Sequence, residues 1–286
     1  MGWRTVVVSS NCKLSFKNDY LVIRNEELKM IYLPEIETIV IESGMITITS
    51  YLINEIAQRK INLIFCDEKH NPSCELLPYY GSFNTSKKIA NQIIWKNKDI
   101  VWQNIVKNKI HNQAMLLKKA GIKEYTSLIK YENQVELNDI TNREGHAAKL
   151  YFNLLFGDNF IRNGLDVRNS ALNYGYSILL SMLNREIVKK GYITPLGINH
   201  KNEFNHFNLS CDLMEIFRPL VDEIVYKNGE RELTKEYKYE LVNIGNRKIK
   251  VEGKEQYLSN AIPIIIKSIF DSLESDNVGK ILNYEF

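Results

Sequence analysis

Apolar residues alternate with polar ones through the first 80 positions. From Lys87 onward they recur about every 3.6 residues instead. The first pattern predicts short strands over 5–9, 13–17, 20–24, 30–33, 38–42 and 45–49. Asn18-Asp19 stands between two of them as a hairpin signal. Helical spacing at Leu52, Ile53, Ile56 and Ala57 predicts one helix over 50–60, followed by an apolar strand over 62–66. The second pattern predicts helices over 87–119, 123–130, 142–156, 167–190, 209–226 and 257–273. Gly121, Gly157 and Gly191 lie just past three of these, where a left-handed C-terminal cap belongs. The charged stretch 227–252 reads as a loop with short strands. The expected class is α+β: a small N-terminal β domain over 1–80, a linker over 81–86, and a larger all-α C-terminal domain over 87–286.

Composition changes this picture little. The chain has 286 residues, 44% hydrophobic and 25% charged, which excludes collagen-like, disordered and disulfide-scaffold classes. The four cysteines (Cys12, Cys66, Cys74 and Cys211) form no CxxC pair, so reduced thiols are expected. Cys66, His70 and Cys74 have an unusual spacing for zinc and no obvious fourth ligand. No signal peptide is legible, and the uncharged run 170–183 is too short and polar to span a bilayer. A cytoplasmic protein without a membrane partner is expected.

The net charge of +3 is uninformative as a total, but its distribution is not. Residues 1–85 hold 8 Lys/Arg against 10 Asp/Glu, whereas 87–130 hold 10 Lys against 2 acids. That basic stretch includes Lys87, Lys88, Lys96, Lys98, Lys107, Lys109, Lys118 and Lys119, with Gln92, Gln103 and Gln113 among them. Lysines and amides without compensating acids suit a phosphate backbone, and a solvated helix face is the plainer alternative.

Two places carry candidate chemistry. On a wheel of 142–156, Glu144 falls in the middle of the apolar face formed by Ala147, Ala148, Tyr151 and Leu155. A carboxylate there caps the helix N-terminus, or is an ion-paired or metal-binding group. The loop 197–208 carries His200 and His206, and the helical pattern after it places Asp212, Glu215 and Asp222 within one arc. Pro219 is expected to kink that helix. The plain reading of the arc is a solvated acidic stripe. Two carboxylates and an imidazole would instead suit Mg²⁺ or Mn²⁺ and chemistry on phosphodiesters. No Walker A loop, GxGxxG, GxSxG or HExxH is present. Gly175, in the middle of a helix, reads as a close helix contact.

These residues carry a family resemblance. Arg143-Glu144-Gly145 through Tyr151-Phe152, Leu172-Asn173-Tyr174-Gly175-Tyr176 and Asn208 through Asp212-Leu-Met-Glu215-Ile-Phe-Arg218-Pro219 resemble the CRISPR-associated integrase family of spacer acquisition. Gly2-Trp3-Arg4-Thr5-Val6-Val7-Val8, Phe65-Cys66-Asp67, Pro78-Tyr79-Tyr80 and Lys109-Ile-His-Asn112-Gln113 resemble its type II branch. The resemblance implies an N-terminal β domain that dimerises and a helical domain that binds DNA. It implies a divalent ion, Mg²⁺ or Mn²⁺, held by Glu144, His200 and Glu215, with Asp212 as a supporting acid and His206 as the competing histidine. The implied reaction is attack by the 3′-hydroxyl of a short captured DNA duplex on the leader–repeat phosphodiester of a CRISPR array. The implied partners are prespacer and leader–repeat DNA, a second copy of the chain, and a small second adaptation subunit in a heterohexamer. A type II RNA-guided effector nuclease and an accessory ring protein are implied as well. Two alternatives remain: a stand-alone nuclease for branched DNA, and a non-catalytic DNA-binding scaffold.

Overall fold

A computed structural model describes residues 2–78, 85–162, 164–276 and 278–286. The chain divides into two units, Met1–Gly81 and Ser82–Phe286.

The first unit contains β1 (Arg4–Val8), β2 (Cys12–Lys17), β3 (Tyr20–Arg24), β4 (Leu28–Tyr32), β5 (Ile36–Ile41) and β6 (Ile46–Ile48). Helix α1 (Ser50–Gln58) and strands β7 (Asn62–Cys66) and β8 (Pro72–Glu75) complete it. Two four-stranded sheets form, in the orders β1-β5-β7-β8 and β4-β3-β2-β6. β1, β5 and β7 run parallel, while β2, β3 and β4 form an antiparallel meander. Asn18 and Asp19 turn the β2–β3 hairpin with φ of 50° and 65°, the left-handed pair a tight two-residue turn needs. Leu14, Leu21, Leu33, Ile39, Leu52, Ile56 and Leu63 form the shared core. β8 escaped the sequence pattern because Pro-Ser-Cys-Glu has no β-branched alternation.

The second unit is helical. Its helices are α2 (Thr85–Ile93), α3 (Lys98–Lys119), α4 (Tyr125–Asn133), α5 (Arg143–Phe156), α6 (Val167–Lys189), α7 (Asn208–Met214), α8 (Arg218–Asn228), α9 (Lys235–Val242) and α10 (Leu258–Glu274). A small sheet joins them, with β9 (Lys248–Val251) between β10 (Lys254–Tyr257) and β11 (Tyr284–Glu285). Residues 81–84 of the expected linker lie outside the described residues, and Thr85 and Ser86 belong to α2.

Helix α3 runs through the middle of this unit, against α4, α5, α7, α8 and α10. It buries Trp102, Ile105, Val106, Ile110 and Leu117 together with the polar Lys109, Asn112 and Gln113. The expected helix over 87–119 is therefore two helices. They part at Asn97, whose amide donates to the Ser272 and Ser275 carbonyls at the end of α10. Those carbonyls lack helical partners, so the side chain supplies them.

The expected helix over 209–226 is also two. Pro219 has no N–H, and its ring would clash with the carbonyl four residues earlier, that of Glu215. The chain therefore leaves α7 at Met214 and re-enters a helix at Arg218, with Pro219 in the first turn of α8. Asn112 of α3 donates to the Ile216 carbonyl freed by this break, at 3.0 Å. A sharp interruption, rather than a smooth kink, thus sets the direction of Glu215.

Gly175 of α6 sits where a Cβ would lie 2.5 Å from Val221 Cγ1 of α8. It is a close helix contact, as its mid-helix position suggested.

Candidate active site

Glu144 stands in the first turn of α5 and is partly buried, beside the buried Ala147 and Tyr151. It does not cap its own helix. Asp139 accepts the backbone N–H groups of Arg143 and Glu144, and the Asn142 side chain accepts that of Gly145. With those amides satisfied, the Glu144 carboxylate is free for another partner, and Lys109 Nζ donates to its Oε1 at 2.6 Å.

Glu215 lies at the break between α7 and α8, with its side chain 6% exposed. Arg218 Nε donates to Oε1 at 2.8 Å. Oε2 lies 2.5 Å from the same Lys109 Nζ that serves Glu144, but without hydrogen-bond geometry. Burial by itself would raise this carboxyl. The Arg218 and Lys109 charges outweigh burial and hold it well below the usual carboxylate range. Burial would likewise lower the Lys109 ammonium, but Glu215 and Glu144 keep it charged.

His200 closes the 197–200 turn. Asp212, fully buried on α7, accepts the backbone N–H groups of Ile198, Asn199 and His200 at 2.6–3.1 Å. It also contacts His200 Nδ1 at 2.5 Å. That bond raises the imidazole pKa against the opposing effect of burial, and the Glu215 and Glu144 charges add to the rise. Gly197 is required here because a Cβ would stand 2.4 Å from the His200 carbonyl oxygen and 2.8 Å from Asp212 Oδ2. The Trp102 ring meets the imidazole edge-on, with centroids 5.9 Å apart. With Nδ1 turned to Asp212, Nε2 is the nitrogen available to a ligand. His206 is exposed on the same loop. A cavity of about 560 Å³ beside His200 is lined by Lys98, Gly197, His200, Lys201, Asn202 and His206 among others.

Asp212, Glu215 and Asp222 are all buried, so the solvated acidic stripe does not exist. The three acids face different partners. Asp222 accepts the hydroxyls of Tyr151 and Tyr176, and burial pushes its carboxyl up to about 6 against those bonds. Arg218 lies over the Tyr176 ring, 4.4 Å from its centroid, which links this interior pair to the Glu215 clamp.

Part of the basic stretch also turns inward. Gln92 bonds the Ile193 and Leu196 carbonyls, Gln103 bonds that of Val135, and Gln113 is buried. Lys88 and Lys119 pair with Glu274 and Glu223. Lys87, Lys96 and Lys118 are exposed. Lys109, counted in the sequence among phosphate-facing lysines, is instead the centre of the acidic site. The motif 109–113, which it shares with the buried Asn112 and Gln113, is the sequence feature that could have separated it from the exposed lysines. Among the described residues, no three His, Cys, Asp or Glu side chains are grouped closely enough to hold a metal ion as they stand.

The sequence and the fold have clear relatives. The family model described as CRISPR associated protein Cas1 matches residues 5–260. A CRISPR-associated endonuclease Cas1 from Neisseria meningitidis is 32% identical, over 98% of this chain and 95% of its own length. One from Francisella tularensis subsp. novicida is 28% identical over 78% of each. A CAS1 protein structure from Thermotoga maritima superposes with a TM-score of 0.79, covering 97% of this chain and 99% of its own, at 17% identity. A casposase bound to integration product has the same fold, with a TM-score of 0.77, 98% of this chain and 92% of its own covered, and 17% identity. The chain belongs to the Cas1 family.

Proposed function

We propose that the protein is an endonuclease and integrase of CRISPR adaptation, joining short duplex DNA to the leader–repeat boundary of an array. The observation that carries this reading is the convergence of Glu144 and Glu215 on one buried point, with His200 on a turn held by Asp212, in a chain of the Cas1 family.

Glu144, His200 and Glu215 are the residues that would hold Mg²⁺ or Mn²⁺. The donor set fits by type: two hard carboxylates that share one buried cation, Lys109, and an imidazole whose tautomer is fixed by Asp212. When bound, such an ion would polarise the scissile phosphate and favour the alkoxide form of the attacking 3′-hydroxyl. The protein's own groups do the rest. Arg218 fixes one oxygen of Glu215, and Asp212 aims His200. Lys98 and Lys201, beside His200, offer cations to the phosphate backbone. The 3′-oxygen forms the new P–O bond as the target strand's own 3′-oxygen leaves.

The β domain is the proposed dimer interface. On β4, the edge strand of its sheet, Leu28, Met30 and Tyr32 are exposed and lie on one face, with Tyr20 beside Tyr32. Such a row at a sheet edge is a site for association. A small second subunit completing a heterohexamer is the proposed partner, and the fold is shared with a Cas6-RT-Cas1–Cas2 complex at a TM-score of 0.72 and 20% identity, over 97% of this chain and 36% of that one. The type II effector nuclease and accessory ring protein are proposed partners on the sequence resemblance alone. A cytoplasmic location is proposed with them, and among the described residues no helix is long and apolar enough to cross a membrane.

The deciding experiment is strand transfer into a repeat-containing plasmid, with and without the small subunit. Insertion at the leader–repeat boundary is expected. Cutting of branched DNA without insertion would assign a stand-alone nuclease, and binding without either reaction would assign a scaffold. Asp212→Asn is expected to lower integration by about 10–100-fold, because His200 loses the carboxylate that fixes its tautomer. Its melting temperature should also fall, since an amide cannot accept all the bonds of the 197–200 turn. Integration and melting measured on the same preparation check both effects.

A further inference from the structure

Among the described residues, Lys109 is the cation that both candidate carboxylates share, and its chemistry differs from that of the neighbouring lysines. The residue is 8% exposed, whereas Lys118 and Lys119 at the end of the same helix are open to solvent. Its Nζ is 2.6 Å from Glu144 Oε1 and 2.5 Å from Glu215 Oε2. A lysine buried this way needs the two negative charges, and two acids held this close need a cation between them. The oxygens that hold the ammonium are those a divalent ion would use.

We propose that Lys109 is a resident counterion of the Glu144–Glu215 pair, which keeps the site assembled without metal and which a divalent ion must displace. The inference rests on the metal-binding reading given above. The ammonium offsets one of the pair's two charges, with Arg218 on Glu215 as the other cation, so Glu144 and Glu215 stay together instead of repelling one another. When an ion arrives, it competes for the same oxygens and is repelled by the lysine charge until the side chain swings away. Arg218 does not take part in this exchange, because it holds the other oxygen of Glu215. The site is thereby tuned to bind its ion weakly and reversibly rather than to trap it.

The test is a Mn²⁺ titration followed by electron paramagnetic resonance of the free ion, on wild-type protein, Lys109→Met, Lys109→Gln and Glu144→Ala. Melting temperatures are measured with and without Mn²⁺. Lys109→Met is expected to bind Mn²⁺ about tenfold tighter than wild type, because an opposing charge is gone. Its metal-free melting temperature should fall and its Mn²⁺-induced rise should exceed that of wild type. If Lys109→Met does not fold, Lys109→Gln carries the titration with the same expectation. Equal or weaker Mn²⁺ binding in a folded variant overturns the counterion role and makes Lys109 an organiser of the site. The metal reading is judged separately: wild-type binding that survives in Glu144→Ala, or no wild-type binding at all, overturns that reading and the counterion role with it.

Discussion

Glu144→Ala, His200→Ala and Glu215→Ala are each expected to reduce strand transfer by about 10³-fold or more, the scale on which a group acting at the reacting phosphate is missed. Their effects on stability should differ. Glu144→Ala removes a partly exposed carboxylate from a helix whose first amides are already capped by Asp139 and Asn142. Lys109 loses one of its two acids but keeps Glu215, so a loss of stability is expected that is smaller than for Glu215→Ala. His200→Ala removes a side chain 42% exposed and leaves Asp212 its three backbone N–H groups. Glu215→Ala removes the carboxylate that both Lys109 and Arg218 contact, and leaves Arg218 without its acid. Breaking a buried pair from one side costs about 3 kcal/mol. Urea denaturation should therefore rank Glu215→Ala well below the other two, while all three keep DNA binding and dimerisation. Full integration by any of the three, in folded protein, would refute the site.

The second large effect is expected from metal removal. Dialysis against a chelator should stop integration, and Mn²⁺ or Mg²⁺ should restore it, because Glu144, Glu215 and His200 supply metal donors and no nucleophile of their own. Restored protein should also melt higher, by the mass-action stabilisation any ligand specific for the folded state provides. Salt should act separately: raising it weakens DNA binding through the exposed lysines without removing the ion. Turnover that persists in chelator, on DNA and protein both shown free of metal, would sink the mechanism.

Much of the fold was legible from periodicity. The strand over 20–24 and the helices over 143–156 and 167–189 stand within one residue of the expected positions. Three kinds of feature were missed. β8 and α9 lie in polar or charged runs where no apolar period shows. The helix break at Asn97 depends on what the chain meets in space, since Asn97 serves α10, whereas Pro219 signalled a kink near Glu215 but not the full interruption between α7 and α8. The buried state of Asp212 and Asp222 contradicts the usual exposure of acids and follows from the 197–200 turn and the two tyrosines.

The candidate site divides the same way. Its members were readable by residue type: a carboxylate on an apolar helix face, a histidine in a loop, a glutamate before a proline. Periodicity is set by neighbours a few residues away, so the sequence alone determined two units of different class and the faces of the helices, that of Glu144 among them, whereas the break before Pro219 set the direction of Glu215. Which cation meets those faces is decided by packing between distant helices. Lys109 and Glu144 are 35 residues apart, and only the placement of α3 against α5 and the α7–α8 break makes the lysine their common partner. A charge run looks the same in sequence whether its lysines face phosphate or an acid pair, because solvent access belongs to the folded chain.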